Sequence, residues 1–261
     1  MRWIKLDTAR CPFLLLYKGG LIMNGIDLSV HNGKVDFRRI KDAGIEFVVI
    51  RAGYGRVLSQ KDKMFEDNYA GATAAGLHVG AYWYSYAKTP DEARLEADVF
   101  LEVVKGKQFD FPVYFDIEEQ SVFATGKANC SAICKAFLEK VEAAGYWVGI
   151  YSSRCALQDY ISEDLRKRYA IWLADWGNAP KYNGEFGIWQ RSEKGNVDGV
   201  SGNVDLDVAY VDYAPKIKER GLNGYSKGTT DKDTQANKKE TMTIRVTLEN
   251  GDVYEGKVTK V

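Results

Sequence analysis

Phe111-Pro-Val-Tyr-Phe-Asp116-Ile-Glu118-Glu-Gln120 is the stretch on which the reading of this 261-residue chain turns. An apolar, aromatic run leads straight into two carboxylates two positions apart, as in a buried strand that ends at a polar place. Side chains alternate along a strand, so Asp116 and Glu118 leave the same face, roughly 7 Å apart at the backbone. A strand that is apolar on both faces belongs to a parallel sheet covered by helices.

The flanking sequence repeats that unit. Apolar strand segments recur at 25–30, 46–52, 78–86, 111–117, 147–152, 171–175 and 187–190, with a last one near 204–208. Helical spacing falls between them at about 35–43, 64–75, 90–104, 129–144 and 154–168. Ala43-Gly44, Ala75-Gly76 and Ala144-Gly145 each close a helix with a glycine suited to the left-handed C′ position. Thr89-Pro90-Asp91-Glu92 has a helix start, with proline at the first helical position. The alternation predicts an α/β fold, an irregular TIM-like β/α barrel of about eight strands and five helices over residues 23–215. An open doubly wound sheet is the alternative. Beyond about residue 170 helical spacing fades while strand segments continue, so loops are expected to join the last strands.

Composition narrows the function classes. Hydrophobic content of 45% and charged content of 28% are those of a soluble globular protein. No apolar run approaches the roughly 20 residues that span a bilayer, so no membrane insertion is expected. Net charge is zero, which argues against nucleic acid as a partner. The zero is uneven, however: residues 1–22 and 216–261 each carry +3, and the span between them carries −6. Cys11, Cys130, Cys134 and Cys155 lack metal-ligand spacing, so neither a metal nor a disulfide framework is expected. No Gly-x-Gly-x-x-Gly follows the first strand and no Walker pattern occurs, so no nucleotide cofactor is expected either. His78 falls inside a strand pattern and reads as structural, whereas His31, just after the first strand, could touch a ligand.

The two ends read differently from the body. Residues 1–22 have too short an apolar run and no small-residue cleavage site for a signal peptide. Lys18-Gly19-Gly20 is encodable as AAAGGAGG, a bacterial ribosome-binding sequence, which suggests a natural start at Met23. On that reading the protein has no export signal and is made in the cytoplasm. At the other end, residues 216–240 read as a polar linker, most clearly from Leu222. Residues 241–261 read as two alternating strands around Asn250-Gly251, a hairpin signal. A lone hairpin is marginal in water, so it is expected to dock, self-associate or adhere to a wall.

In β/α barrels the working residues stand at the C-terminal ends of the strands. Those ends offer Asp27, Arg51, Tyr82 and Tyr84, then Asp116 and Glu118, Tyr151, Trp172, Trp176 (or Asp175), Gln190 and Asp205. Acids among aromatic rings suit a sugar polymer. Rings pack on pyranose C–H faces, while carboxyl groups protonate the glycosidic bond and stabilise charge at the anomeric carbon. Trp83 and Trp189 alternate away from this set and read as core.

Five of these segments, in order, resemble one family. They are Asn24-Gly-Ile-Asp27-Leu-Ser-Val-His-Asn-Gly33, Val49-Ile-Arg51-Ala-Gly, Gly80-Ala-Tyr82-Trp-Tyr84, Val113-Tyr-Phe-Asp116-Ile-Glu118 and Ile171-Trp172-Leu-Ala174. Together they resemble glycoside hydrolase family 25, the Chalaropsis-type lysozymes that include many phage endolysins. The resemblance spans roughly residues 23–214. It implies an N-acetylmuramidase that cuts the β-1,4 bond between N-acetylmuramic acid and N-acetylglucosamine in bacterial peptidoglycan. It implies Glu118 as general acid, with Asp116, Asp27 and Asp205 as the other carboxylates. In Val204-Asp205-Leu-Asp207 the family often has asparagine at the position of Asp207. Asp116 and Asp27 are expected to stay ionised while burial and neighbouring acids keep Glu118 protonated. Two alternatives remain: a chitinase-like N-acetylglucosaminidase, though the Asp-x-x-Asp-x-Asp-x-Glu strand of those enzymes is absent, and a non-catalytic glycan-binding barrel.

Overall fold

The computed structural model describes residues 22–227 and, further on, strands at 241–247 and 253–259. The expectations for residues 1–21 and for the turn at Asn250-Gly251 lie outside the described residues. In chain order the elements are β1 (Met23–Leu28), α1 (Phe37–Asp42), β2 (Phe47–Tyr54), α2 (Phe65–Ala74), β3 (His78–Tyr84), α3 (Pro90–Val104) and β4 (Val113–Asp116). There follow α4 (Gln120–Phe123), α5 (Lys127–Ala143), β5 (Val148–Ser153), α6 (Arg154–Tyr160), α7 (Glu163–Arg168) and β6 (Ala170–Ala174). The last are β7 (Ile188–Gly195), β8 (Val204–Ala209), α8 (Ala214–Arg220), β9 (Thr241–Thr247) and β10 (Val253–Thr259).

Strands β1 to β8 close into a barrel in sequence order. The expected glycine stops are present, with Gly44, Gly76 and Gly145 all at positive φ. Thr89 caps α3 by accepting from the Glu92 amide, and Pro90 begins the helix. Two differences from the sequence reading stand out, one in a helix and one in the sheet. The helix expected over 154–168 is two helices, because Ile161 is extended and buried while Ser162 starts α7. The wholly parallel sheet is also corrected, since β8 runs antiparallel to both β7 and β1. No crossover helix lies between β7 and β8, and a short return without one can only be antiparallel.

Alternation along the strands builds two cores. Val48, Ile50, Trp83, Phe115, Ile171, Leu173 and Trp189 point outward under the helices, which places both tryptophans in the core as expected. Phe47, Val49, Tyr82, Tyr114, Tyr151 and Trp172 point into the barrel. Low in the barrel the Phe47 and Phe111 rings stack at 4.6 Å. Gly25 leaves room for this, since a Cβ there would meet the Phe47 ring at 2.3 Å.

The barrel's lower end is sealed by residues that the sequence reading assigned elsewhere. Residues 216–240 read as linker, yet Ile217 of α8 is fully buried, its amide donating to the carbonyl of Tyr213, the barrel residue that packs against Phe111 and Trp147. Asn223 is also fully buried. It accepts from the Trp147 amide and donates to the carbonyls of Phe109 and Phe111. The barrel unit therefore runs past residue 215 to about Tyr225, because these few apolar and hydrogen-bonding groups are spread through a polar sequence. Farther on, β9 and β10 pair antiparallel with Val253 opposite Thr247, the pairing expected of a hairpin.

Candidate active site

β1 to β6 run parallel, so their C-terminal ends meet at one mouth. β8 runs the other way, so its first residues reach that same mouth. Asp205 is therefore at the start of its strand rather than at a C-terminal end, and it pairs directly across from Asp27. The mouth holds a cleft of about 430 Å³. Asp27, Asp116, Glu118 and Asp205 all line it, together with Arg51, Tyr82, Tyr84, Tyr151, Trp172 and Gln190. Trp176 does not line it. That ring is 55% exposed at the rim and is tied to the site through its indole N–H, which donates to Gln190 Oε1 at 3.0 Å.

Gln190, buried at 2% exposure, joins the parts together. Its Nε2 donates to Asp27 Oδ2 at 2.8 Å, and its Oε1 also accepts from Tyr151 OH at 2.9 Å. Trp172 lies beneath, fully buried, with its ring 4.4 Å from Tyr151 and 5.7 Å from Tyr82. Its indole N–H donates to Asp207 Oδ1 at 2.8 Å. Trp172 is thus part of the floor rather than an open sugar platform. Arg51 is held by a 2.7 Å bond from Nε to Asp62 Oδ2, and Asp62 also accepts from the amides of Val30 and Met64. That buried carboxylate locks a cation at the cleft wall.

Glu118 differs from the other acids. Its surface is open to the cleft, and among the described residues no hydrogen bond holds its carboxyl. Enclosing walls still restrict its hydration, which raises its pKa, and Asp205 and Glu119 push it further upward. Asp116 is raised well above the usual range, first by burial and then by Glu118, while Arg51 pulls it down. Asp27 is raised likewise by burial and by Asp207 and Asp205, and the Gln190 bond opposes them. Burial raises Asp205 too, and Asp207 is pushed up to about 8, mainly by burial. The expectation that only Glu118 is shifted is therefore corrected. Crowded acids in a poorly hydrated place cannot all ionise, so the cluster shares protons.

Other groups at the site were less legible. His31 lines the cleft, as do Ser29, Asn32, Glu193 and Asn203. Ser29, His31 and Asn32 lie just after β1, within reach of the strand-end rule. Glu193 and Asn203 flank the β7–β8 return, whose path no local pattern announces. His78 is structural, 3.2 Å from Asp110.

Similarity to known proteins agrees with this fold. The chain is 31% identical over 186 residues to an autolytic lysozyme of Clostridium acetobutylicum, covering 71% of this chain and 55% of that relative. The chain thus spans about half of that protein's length. Among solved structures it resembles the CTP1L endolysin at 28% identity with a TM-score of 0.65, over 75% of this chain and 69% of the other. It also resembles the modular autolysin LytC of Streptococcus pneumoniae, solved with a synthetic peptidoglycan ligand, at 25% identity and TM-score 0.66, over 72% and 47% of the two chains. The sequence profile described as Glycosyl hydrolases family 25 matches residues 26–200, and the chain belongs to that family.

Proposed function

We propose that the protein is a lysozyme, a muramidase that hydrolyses the β-1,4 bond between N-acetylmuramic acid and N-acetylglucosamine in bacterial peptidoglycan. The observation that carries this reading is the position of Glu118, an unrestrained carboxyl open to a cleft whose other acids are buried around it. A general acid must hold its proton near working pH and reach the leaving oxygen, and the raised pKa of Glu118 serves the first need. As the bond breaks, positive charge grows at the anomeric carbon, and the charge that Asp27, Asp116 and Asp205 share between them opposes it. One of these carboxylates, or the substrate's own N-acetyl oxygen steered by them, bonds to the anomeric carbon as the leaving oxygen takes the Glu118 proton. Water, losing a proton to Glu118, then displaces that group and frees the reducing end. Arg51, fixed by Asp62, and the Tyr82, Tyr84 and Tyr151 rings position the sugars. The residues described need no metal or cofactor for these steps.

Digestion of purified cell walls followed by mass spectrometry of the fragments tests the reading. Reducing N-acetylmuramic acid ends are expected. Reducing N-acetylglucosamine ends would indicate the chitinase-like specificity, and intact walls a binding module.

Two further expectations belong to this proposal. The protein acts on the wall after release from the cell that makes it, as in phage or prophage lysis. The β9–β10 pair is a self-association element, which light scattering of the full chain against one ended at residue 227 tests. Equal mass per chain count would remove it.

A further inference from the structure

Beside the cleft three tyrosines adjoin one another, Tyr54 and Tyr84 opposite each other on β2 and β3 and Tyr86 two residues past Tyr84. Tyr84 lines the cleft and is half-buried, Tyr86 is 46% exposed, and Tyr54 is 36% exposed. The Tyr84 and Tyr86 ring centroids are 5.0 Å apart, and those of Tyr86 and Tyr54 are 6.1 Å apart. The turn after Tyr54 adds the exposed aliphatic side chains of Val57 and Leu58. Exposed aromatic and aliphatic surface continuous with a ligand cleft calls for a function.

The backbone under these rings is built to stay still. Glu96 of α3 is fully buried, yet it accepts from the Tyr86 amide at 2.9 Å and from Ser85 Oγ at 2.6 Å. On the other side the Gly55 amide donates to the Tyr84 carbonyl at 3.2 Å, and the Trp83 indole donates to the Gly55 carbonyl at 3.1 Å. Gln60 Oε1 accepts from the amides of Arg56 and Val57. A buried carboxyl is costly, and among the described residues this one bonds only the segment that carries Tyr84 and Tyr86. Arg51 lies 6.0 Å from the Tyr54 ring, so the cation at the cleft wall also faces this cluster.

We propose that Tyr84, Tyr86 and Tyr54 form a glycan-binding strip that carries the polysaccharide out of the cleft and adds sugar positions beyond the bond that is cut. The inference rests on the lysozyme reading for the identity of the glycan. Ring spacings of 5.0 and 6.1 Å are close to the repeat of a β-1,4-linked sugar chain. The ring planes are tilted by 48° and 74° to one another, so together they offer apolar faces and edges to the C–H surfaces of sugars. Rings held by a fixed backbone lose little freedom on binding, which favours long strands over short ones.

The test uses the full chain. Dissociation constants for a peptidoglycan tetrasaccharide and for strands of eight or more sugars are measured with the Glu118→Gln protein, with and without Tyr54→Ala and Tyr86→Ala. The double change is expected to weaken long-strand binding about tenfold and leave the tetrasaccharide unchanged. Tyr54→Phe with Tyr86→Phe should restore long-strand binding, because the ring face rather than the hydroxyl makes the contact. Equal affinities for long strands with and without the tyrosines overturn the strip, as does a long strand that does not bind at all or an equal loss at both lengths. Wall digestion by the wild type, run alongside, reads the lysozyme assignment separately. Missing muramic ends sink that assignment, whereas normal digestion with a length-independent result sinks only the strip.

Discussion

Asp27 on the first strand pairs directly across from Asp205 on the last, in the antiparallel register that closes the barrel. Closure of the sheet is therefore also assembly of the acid cluster. Residues 178 positions apart in the chain meet because β8 returns against its neighbours. Asp207, two residues on along the same face, is buried beside them and bonded to Trp172.

Asp207 should make the fold sensitive to alkali. Burial pushes its pKa from the ordinary 3.8 to about 8, so the folded state holds a proton that the unfolded chain has lost. Between these values the folded state binds more protons, and stability falls as pH rises until it levels off above about 8. Asp207→Asn keeps an acceptor for Trp172 and removes the titration. Thermal melts from pH 4 to 9 should show the variant gaining on the wild type by a few kcal/mol across that range. Parallel curves would contradict this.

Glu119 should set part of the working pH range. With burial and Asp205, it raises the pKa of Glu118. A general acid is active while protonated, so its pKa defines the alkaline limb of the rate profile. Glu119→Gln should move the alkaline limb of kcat/KM to lower pH and leave the plateau rate nearly unchanged. A limb that stays in place would detach Glu119 from the acid.

Gln190 should act chiefly on the rate. Its amide N–H reaches Asp27 while its carbonyl oxygen holds Tyr151 and Trp176. Gln190→Ala removes a charge-assisted bond and frees two rings, so kcat should fall roughly 10- to 100-fold. Full kcat with only a raised KM would mean that Gln190 binds sugar and does not position Asp27.

Asn223 should matter for stability alone. Asn223→Ala leaves the Trp147 amide and the carbonyls of Phe109 and Phe111 without this partner inside the barrel's lower seal. Urea unfolding should show a loss of about 3 kcal/mol, with unchanged kcat in the surviving folded fraction. A loss under 0.5 kcal/mol, the range of ordinary surface changes, would contradict that role.

Much of the barrel is legible locally because its signals are local. Strand runs such as 111–117, glycine stops such as Gly145 and the Thr89-Pro90 start each act within a few residues. The strand-end rule places Asp27, Arg51, Tyr82, Asp116 and Glu118 at one mouth for the same reason. Contacts made at long range leave no such trace. The antiparallel return of β8, the burial of Asn223 in a polar stretch and the lock of Arg51 on Asp62 depend on closure of the whole sheet. Shared protons among Asp27, Asp205 and Asp207 depend on it as well, which is why alternation alone suggests ionised aspartates. Trp176 shows the opposite failure: it sits just past a strand end, yet its ring turns to the rim and bonds Gln190.

The most direct measurement is wall clearing by the wild type and by Glu118→Gln at matched concentration, with both proteins shown to be folded and to bind walls. The wild type should clear suspensions and release fragments with reducing N-acetylmuramic acid ends. Glu118→Gln should bind equally well and clear at least about a thousandfold more slowly. Equal clearing by the two proteins would contradict Glu118 as the acid and, with it, the account of the site.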